Sequence, residues 1–289
     1  MGKASRRKRQ AEGTKAPARA PFVNRPFEGL ANETDWVAMR EIIPAATAKV
    51  TMELNGTPQE VTLVSVLPGA MPAIHRADGE VMVAMQSRSH SGDASRDIVA
   101  AAQTAVATEP GQPVPAVPTA TADTPRLQDV LADGTELVVE VQDDFSFWIA
   151  EEDATPEVME SLEQTNAAAV PTVPVPERPS TYWCKMSDRT YVRWIVGDDE
   201  DAATKALARL QAAGEHTLGE GTALLGAFRA AGLLVPVLEG DPATDPADLT
   251  GPLQELADRY AAALAKDEPL TPEERRARDG LVSRQVTLR

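Results

Sequence analysis

The chain has 289 residues, of which 43% are hydrophobic, and a formal net charge of −16 at pH 7. A chain of this length can bury one large core or two modest ones. Its single cysteine, Cys184, excludes an intramolecular disulfide and any metal site built from several cysteines.

Charge is divided unevenly along the chain. Residues 1–25 hold eight lysines and arginines against one glutamate, a net charge of +7, which leaves −23 for residues 26–289. An acidic body repels nucleic acid and anionic lipid, whereas a basic arm attracts them. We therefore expect RNA, the ribosome or another polyanion to be contacted by five basic residues near the start of the chain: Lys3, Arg6, Arg7, Lys8 and Arg9.

Residues 1–21 have almost no large apolar side chain, which predicts a disordered basic arm. The arm has no aromatic residue for stacking, so base-specific readout is not expected. It also lacks the apolar run of a signal peptide, and the most apolar window, residues 223–238, is too short for a membrane span. The sequence therefore predicts a cytoplasmic protein without a membrane span.

A first α+β half is predicted for residues 22–107. It should contain a capped helix that ends before Pro44. Alternating β-branched residues then predict a hairpin of residues 47–54 and 60–67 around Asn55-Gly56-Thr57-Pro58. A second hairpin turns at Asp78-Gly79 and leads into a helix with an apolar stripe.

Residues 108–125 are too rich in proline for regular structure and predict an extended, semi-stiff linker. A second α+β half is predicted for residues 126–216. Strands are expected at Thr135–Val141 and Phe145–Ile149, and a helix follows at residues 155–166.

The clearest pattern is a hairpin of Thr181–Met186 and Thr190–Val196 followed by a helix. The acidic run Asp198–Asp201 is suited to cap the start of that helix. Residues 71–107 repeat the same hairpin-then-helix plan, which suggests an internal repeat. The alternative is that such units are simply common in α+β proteins.

A mainly helical part is predicted for residues 217–289. Ala223–Gly232 is expected to be a helix that Gly219-x-Gly221 precedes, and Leu233–Leu238 an edge strand or irregular segment because it contains Pro236. Two further helices are expected at residues 249–266 and after Thr271. The fold class is therefore α+β, with two related halves of antiparallel hairpins plus helix and a helical C-terminal part.

Motifs for catalysis or metal binding are weak. The three histidines, His75, His90 and His216, lack the spacing of a zinc hydrolase, and the adjacent residues of Ser89–Asp93 fit a helix cap better than a triad. Cys184 lies in an aromatic strand and fits a core thiol better than a nucleophile. Three tryptophans, Trp148, Trp183 and Trp194, either share a core, which is favoured, or line a groove. No catalytic residue, cofactor or metal is predicted.

Several segments together resemble an uncharacterised actinobacterial family that is catalogued as a domain of unknown function. They are Met1–Arg9, Arg25–Leu30 with Asp35–Glu41, Phe228–Val237, Leu270–Arg275 and Ser283–Arg289. The resemblance implies a bacterial cytoplasmic protein and no particular activity. The opening is also similar to the start of small bacterial proteins whose zinc-binding motif is linked to the SecA export motor, although Cys184 alone cannot supply their cysteine-rich site.

The sequence thus favours a non-enzymatic binding or adaptor protein, with a polyanion on the basic arm and a protein partner on the acidic body. One alternative is an enzyme with its site in a cleft between the two halves, marked by a polar cluster around the histidines. Another is an accessory protein of SecA-dependent export, which would co-purify with the translocation motor.

Overall fold

The structure is a computed structural model that describes residues 18–88, 90–150 and 155–284. The described helices are α1 (Glu33–Glu41), α2 (Ala94–Val106), α3 (Leu127–Val130), α4 (Pro156–Ala168), α5 (Glu200–Ala213), α6 (Thr250–Leu264) and α7 (Pro272–Arg284). Short 3-10 turns occur at Pro68–Ala70, Ser146–Trp148 and Pro246–Leu249. Together with two five-stranded sheets, these helices confirm the predicted α+β class.

The first sheet has the strand order β3-β4-β2-β1-β5. Its strands are β1 (Ala46–Leu54), β2 (Thr57–Val66), β3 (Ala73–His75), β4 (Val81–Gln86) and β5 (Glu140–Val141). The predicted β1–β2 hairpin is present, and its turn residues Asn55 and Gly56 both have positive φ, as a two-residue hairpin turn requires. Strand β4 pairs parallel to β2, while the other pairs are antiparallel.

The second sheet is wholly antiparallel, with the order β6-β7-β8-β10-β9. Its strands are β6 (Thr172–Pro174), β7 (Thr181–Met186), β8 (Arg189–Trp194), β9 (Ala223–Ala230) and β10 (Leu233–Gly240). The predicted β7–β8 hairpin is followed by α5, as β3–β4 is followed by α2. Both halves therefore contain the hairpin-then-helix unit.

The predicted helix at residues 223–232 is wrong, because this segment is strand β9. Leucine, alanine and phenylalanine fit a helix or a strand, so pairing with β10 determines that this segment is a strand. Ala231 and Gly232 have φ values of 43° and 86° and form the tight turn that reverses the chain. Gly219 and Gly221, expected at a helix start, instead precede a strand.

The prediction for Leu233–Leu238 is also wrong, because β10 lies inside the sheet between β8 and β9. Pro236 is tolerated there because the ladder between β10 and β8 is interrupted around it. Pairing covers residues 237–240, and beyond the proline only a single bridge joins Leu234 to Val196. The missing N–H of Pro236 therefore breaks no bond to β8.

The two strands predicted before α4 are largely absent. Of Thr135–Val141, only Glu140–Val141 is a strand, and it extends the first sheet rather than the second. Phe145–Ile149 contains a 3-10 turn, because the Asp144 side chain accepts a hydrogen bond from Ser146 N at 2.8 Å and starts a turn instead of a strand.

One buried cluster joins the two sheets. It includes Met52 and Leu63 of the first sheet with Tyr182 and Val235 of the second. Trp36 of α1 is fully buried in it. The two halves thus share a core, while the domain boundaries given above stay predictions.

The C-terminal helices confirm a helical C-terminal part. Helix α6 buries Leu253, Leu256 and Tyr260 in a second cluster together with residues of α5. At the start of α7, Thr271 Oγ1 accepts from Glu274 N and the Glu274 carboxylate accepts from Thr271 N, as the capping-box pattern predicts. Among the described residues, no helix combines the length and apolarity needed to cross a bilayer.

Candidate functional site at the root of the arm

The five basic residues predicted to contact a polyanion, Lys3, Arg6, Arg7, Lys8 and Arg9, lie outside the described residues. The described chain begins at Ala18, so the structure shows how the chain is held where the arm joins the body. Residues 18–27 are called the anchor segment below.

Backbone contacts tie the anchor segment to the first half. Ala122 N donates to Ala18 O at 3.0 Å, and Arg19 forms an isolated β-bridge with Thr121. Val23 N donates to Gly92 O at 2.9 Å in the loop before α2. The Pro-rich segment 108–125 has no helix or longer strand, yet at its end it supplies this bridge.

Arg25 ties the same segment to the second half. Its guanidinium donates two hydrogen bonds of 2.7 Å to the Glu33 carboxylate and a third of 3.1 Å to Gly197 O. The Glu33 contact raises the pKa of Arg25 further above its usual value, so the guanidinium stays charged. Gly232, in the β9–β10 turn, lies so close to Arg25 that a Cβ added to the glycine would be 2.8 Å from Arg25 Cβ. The root of the arm is therefore fixed to both halves.

A pocket of about 270 Å³ lies beside the anchor segment, and its lining includes Phe22, Arg40, His90 and Asp97. The Phe22 side chain is 79% exposed. Arg88 and His90 are exposed in the loop that holds the anchor. An exposed aromatic ring beside basic groups is the combination that single-stranded nucleic acid uses for stacking and phosphate contact. Three carboxylates also line this pocket, so the phosphate contact would depend on the exposed basic side chains at its rim.

Asp97 is the pocket residue whose ionisation is most affected. Burial raises the pKa of its carboxyl, although hydrogen bonds from Ser91 and the charges of Arg40 and His90 oppose the shift. Ser91 N donates to its two oxygens at 3.2 and 3.1 Å. Ionisation of Asp97 therefore weakens the folded state relative to the unfolded one.

We expect Asp97→Asn to stabilise the chain at pH 7. Because the folded-state pKa lies above the unfolded one, the contribution of Asp97 to stability is present below the unfolded pKa and is lost as pH rises through the folded pKa. The gain from the neutral amide should therefore shrink as the pH falls through this range. Urea midpoints of both chains at pH 7, 5 and 4 test this, and a variant less stable than the parent at pH 7 would contradict it.

A separate cleft of about 440 Å³ lies between the two halves. Its lining includes Glu41, Val66 and Gln86 from the first half and Thr172 and Arg193 from the second. An enzyme site in this cleft was expected to contain a polar cluster around the histidines. None of the three histidines lines the cleft. Its ionisable lining groups are Glu41 and Arg193.

The histidines lie in different parts of the fold. His75 Nδ1 is 3.1 and 2.6 Å from the carbonyl oxygens of Ala105 and Thr108 at the end of α2. His90 lies before the same helix, and His216 follows α5. Burial lowers the pKa of His216. Ser89, of the Ser89–Asp93 motif, lies outside the described residues, and Asp93 caps α2 by accepting from Ser95 N at 3.1 Å.

Cys184 is a buried core thiol, as predicted, with no exposed surface in β7. Burial raises the pKa of its thiol, which lowers the thiolate fraction at neutral pH. We expect a thiol reagent to label Cys184 only when the chain unfolds. The measurement is labelling with a disulfide reagent in buffer and in denaturant, and complete labelling of the native chain within the mixing time would contradict it.

The acidic run caps a helix, as predicted. Asp199 Oδ1 accepts from Asp201 N and Ala202 N at 3.0 and 3.1 Å at the start of α5. Tyr260 donates to Asp198 at 2.9 Å. Among the residues that the structure describes, no group of three or more His, Cys, Asp or Glu side chains is placed to hold a metal ion.

The three tryptophans do not share one core. Trp183 and Trp194 are partly buried against the cluster of α5 and α6, and Trp194 contacts Tyr260 edge to face at 5.1 Å. Trp148 lies apart, beside α4. Of the two interpretations given for the tryptophans, a shared core or the lining of a groove, the groove applies to Trp148. Phe22, which directly follows the basic arm, is expected from its apolar character to anchor the start of the ordered chain, but its side chain is exposed.

Comparison with protein-family models shows a match of residues 26–289 to the model described as "Family of unknown function (DUF5926)". Comparisons with curated proteins and with solved structures found no match.

Proposed function

The chain belongs to the family of unknown function DUF5926, and we propose that it is a non-enzymatic binding protein. Its basic arm contacts RNA, the ribosome or another polyanion, and its acidic body contacts a protein partner. The observation that carries this proposal is the partition of charge, +7 in residues 1–25 beside −23 in residues 26–289. Such a partition lets one chain attract partners of opposite sign to different places.

The anchor segment supports the first half of the proposal. A phosphate backbone held by the arm would meet Phe22, whose ring is exposed, next to His90, which lines the same pocket. The anchor is fixed to both halves through Val23 and Arg25, so these groups keep their place beside the arm. Contacts of this kind favour single strands without reading a base sequence.

We expect RNA binding to depend on the arm. A variant with the five arm cations Lys3, Arg6, Arg7, Lys8 and Arg9 changed to Gln should bind a short labelled single-stranded RNA at least about tenfold more weakly at low salt, because each lost phosphate contact loses its released counterion. Fluorescence anisotropy of the full chain measures this. Purified ribosomes, assayed by co-sedimentation, provide the second polyanion.

The matched control removes five positive charges from the body: Lys49, Lys185, Arg189, Lys205 and Lys266 are changed to Gln. This variant has the same net charge as the arm variant, so a loss confined to the arm variant assigns the contact to the arm. Equal losses in both variants, or no binding by the parent chain at low salt, would overturn the proposal.

The size of the cleft between the halves supports a second candidate function, an enzyme or small-molecule binder. A volume of about 440 Å³ lies within the range of small-ligand pockets. Glu41 and Arg193 would there hold a ligand with both charged and apolar parts. A thermal-shift screen of small anions and zwitterions tests it, and a shift that survives Arg193→Gln would count against this site.

A further inference from the structure

An open apolar groove lies between α4 and the 3-10 turn at Ser146–Trp148. Its volume is about 410 Å³, within the range that ligand pockets occupy. It is called the α4 groove, and its lining side chains include Pro68, Trp148, Ile149, Val158, Ser161 and Leu162.

The wall opposite α4 is held rigidly. Trp148 Nε1 donates to Val66 O at 2.8 Å, and the indole stacks on Phe145 with ring centroids 4.4 Å apart. Phe145 N donates to Asn166 Oδ1 at 3.0 Å, which ties this wall to the end of α4. A partly exposed tryptophan held in one position is the kind of anchor that dominates protein interfaces.

Helix α4 contributes apolar surface that the other described residues do not cover. Of its 13 residues, Leu162 is the buried one. Val158, in the groove, is 36% exposed, and the neighbouring Met159 is 40% exposed. Helices of soluble proteins normally bury an apolar stripe against a neighbour, so this face of α4 lacks part of its partner.

The chain segment that supplies most of the groove is acidic in sequence. Residues 127–177 include 13 aspartates and glutamates and no lysine, arginine or histidine. Glu157, Glu160 and Glu163 are exposed on α4 itself. Arg76 Nη1 donates to Phe147 O in this wall at 3.5 Å, and the guanidinium is paired with Asp78 and Glu80.

We propose that the α4 groove binds a basic amphipathic helix of a partner protein. This inference rests on the proposed function, because it assigns the protein partner of the acidic body to one surface. Large apolar side chains of that helix fill the groove beside Trp148, and its lysines or arginines face the carboxylates of α4.

Other occupants fit less well. The chain's own basic arm has the charge, but in residues 1–21 Met1 is the one large apolar side chain. A second copy of the chain brings an acidic body against an acidic rim. Nucleic acid and anionic membranes are repelled by the same charge.

The test uses a labelled helical peptide of about 18 residues, or five turns, with leucines on one face and lysines on the other. We expect the full-length chain to bind it, and Ser161→Arg, which places a bulky cation in the groove, to weaken binding at least about tenfold, a difference of about 1.4 kcal/mol. The matched control is Ala167→Arg, the same charge change at an exposed position of α4 that does not line the groove. It should bind nearly as well as the parent chain.

Two peptide controls separate apolar from ionic contact. A peptide with serine in place of leucine keeps the charge and should bind at least about tenfold more weakly, as should a peptide with glutamate in place of lysine. Val158→Ser provides a second groove variant with a small change of volume, and it too should weaken binding.

The proposal would be overturned if the Ser161→Arg and Ala167→Arg chains bound the peptide equally well. Tight binding of the serine peptide would overturn it too. In either case charge alone would account for binding, without the groove. Self-association of the parent chain that Ser161→Arg abolishes would assign the groove to a second copy and would overturn it as well. RNA binding by the Ser161→Arg chain should equal that of the parent. Loss of peptide binding and loss of arm-dependent RNA binding are thus separate results.

Discussion

Replacing Asp93 with alanine is expected to destabilise the chain by about 3–5 kcal/mol, the usual cost of removing one partner from a buried ion pair. Asp93 is 1% exposed, and its carboxylate accepts from Arg126 Nε at 3.0 Å and from Ser95 N at 3.1 Å. Arg96 Nε lies 3.3 Å away and adds an ionic contact. Without Asp93, helix α2 loses its cap and both guanidinium groups lose their counter-charge.

The effect should reach the anchor segment, because Arg126 also donates to Pro26 O at 2.9 Å. Urea unfolding followed by circular dichroism measures the loss. Asp93→Asn keeps an oxygen for the cap and should lose less, while Asp123→Ala, at an exposed aspartate, should stay within about 0.5 kcal/mol of the parent. A loss below about 1 kcal/mol for Asp93→Ala would show that the buried carboxylate is not a structural anchor.

Gly232→Ala is expected to cost about 2–5 kcal/mol, from the strain of a left-handed residue together with overpacking. The φ of Gly232 is +86°, and a Cβ there would lie 2.8 Å from Arg25 Cβ and from Asn24 O. Because Asn24 O belongs to the backbone, the anchor segment has to move to make room. The free energy of unfolding measures the cost, and proteolysis at the anchor reports the movement.

The matched control is Gly221→Ala. Gly221 has a similar φ of +78°, but a Cβ there meets nothing within 4 Å. It should therefore cost about 1–2 kcal/mol, the strain of the backbone alone. Equal costs at the two positions would mean that the anchor segment is not packed tightly against the β9–β10 turn.

Elements whose local signals agree were predictable from the sequence. The β1–β2 hairpin has alternating β-branched residues around Asn55-Gly56, and α5 has an acidic cap before an apolar stripe. In both cases turn chemistry, periodicity and tertiary pairing favour the same structure. The hairpin-then-helix units were predictable for the same reason.

Strand β9 was not predictable in this way. Its residues, Ala223–Ala230, fit a helix as well as a strand, and pairing with β10 selects the strand. The signal that was available is Ala231-Gly232, which marks a two-residue turn as well as it marks a helix end. Pro236 led to the wrong prediction of an edge strand for a related reason. The gap in hydrogen bonding between β8 and β10 that accommodates the proline cannot be recognised from sequence.

The candidate sites show the same division. The charge of the arm is a property of the sequence, whereas its fixed root depends on contacts of Arg25 with Glu33 and Gly197 that lie up to 172 residues apart. The lack of basic residues from 127 to 177 is visible in the sequence. The groove itself is not, because it forms where the turn at Trp148 meets an incompletely covered helix.

The salt dependence of RNA binding tests whether the basic arm holds the polyanion. For single strands the logarithm of the association constant falls by about 0.7 per phosphate contact for each tenfold rise in salt, so five contacts give a slope of about −3.5. We expect a slope near this value for the full chain and a much smaller one for a version that begins at Phe22. Equal slopes for the two chains would contradict it, because the polyanion would then be held by the body and not by the arm.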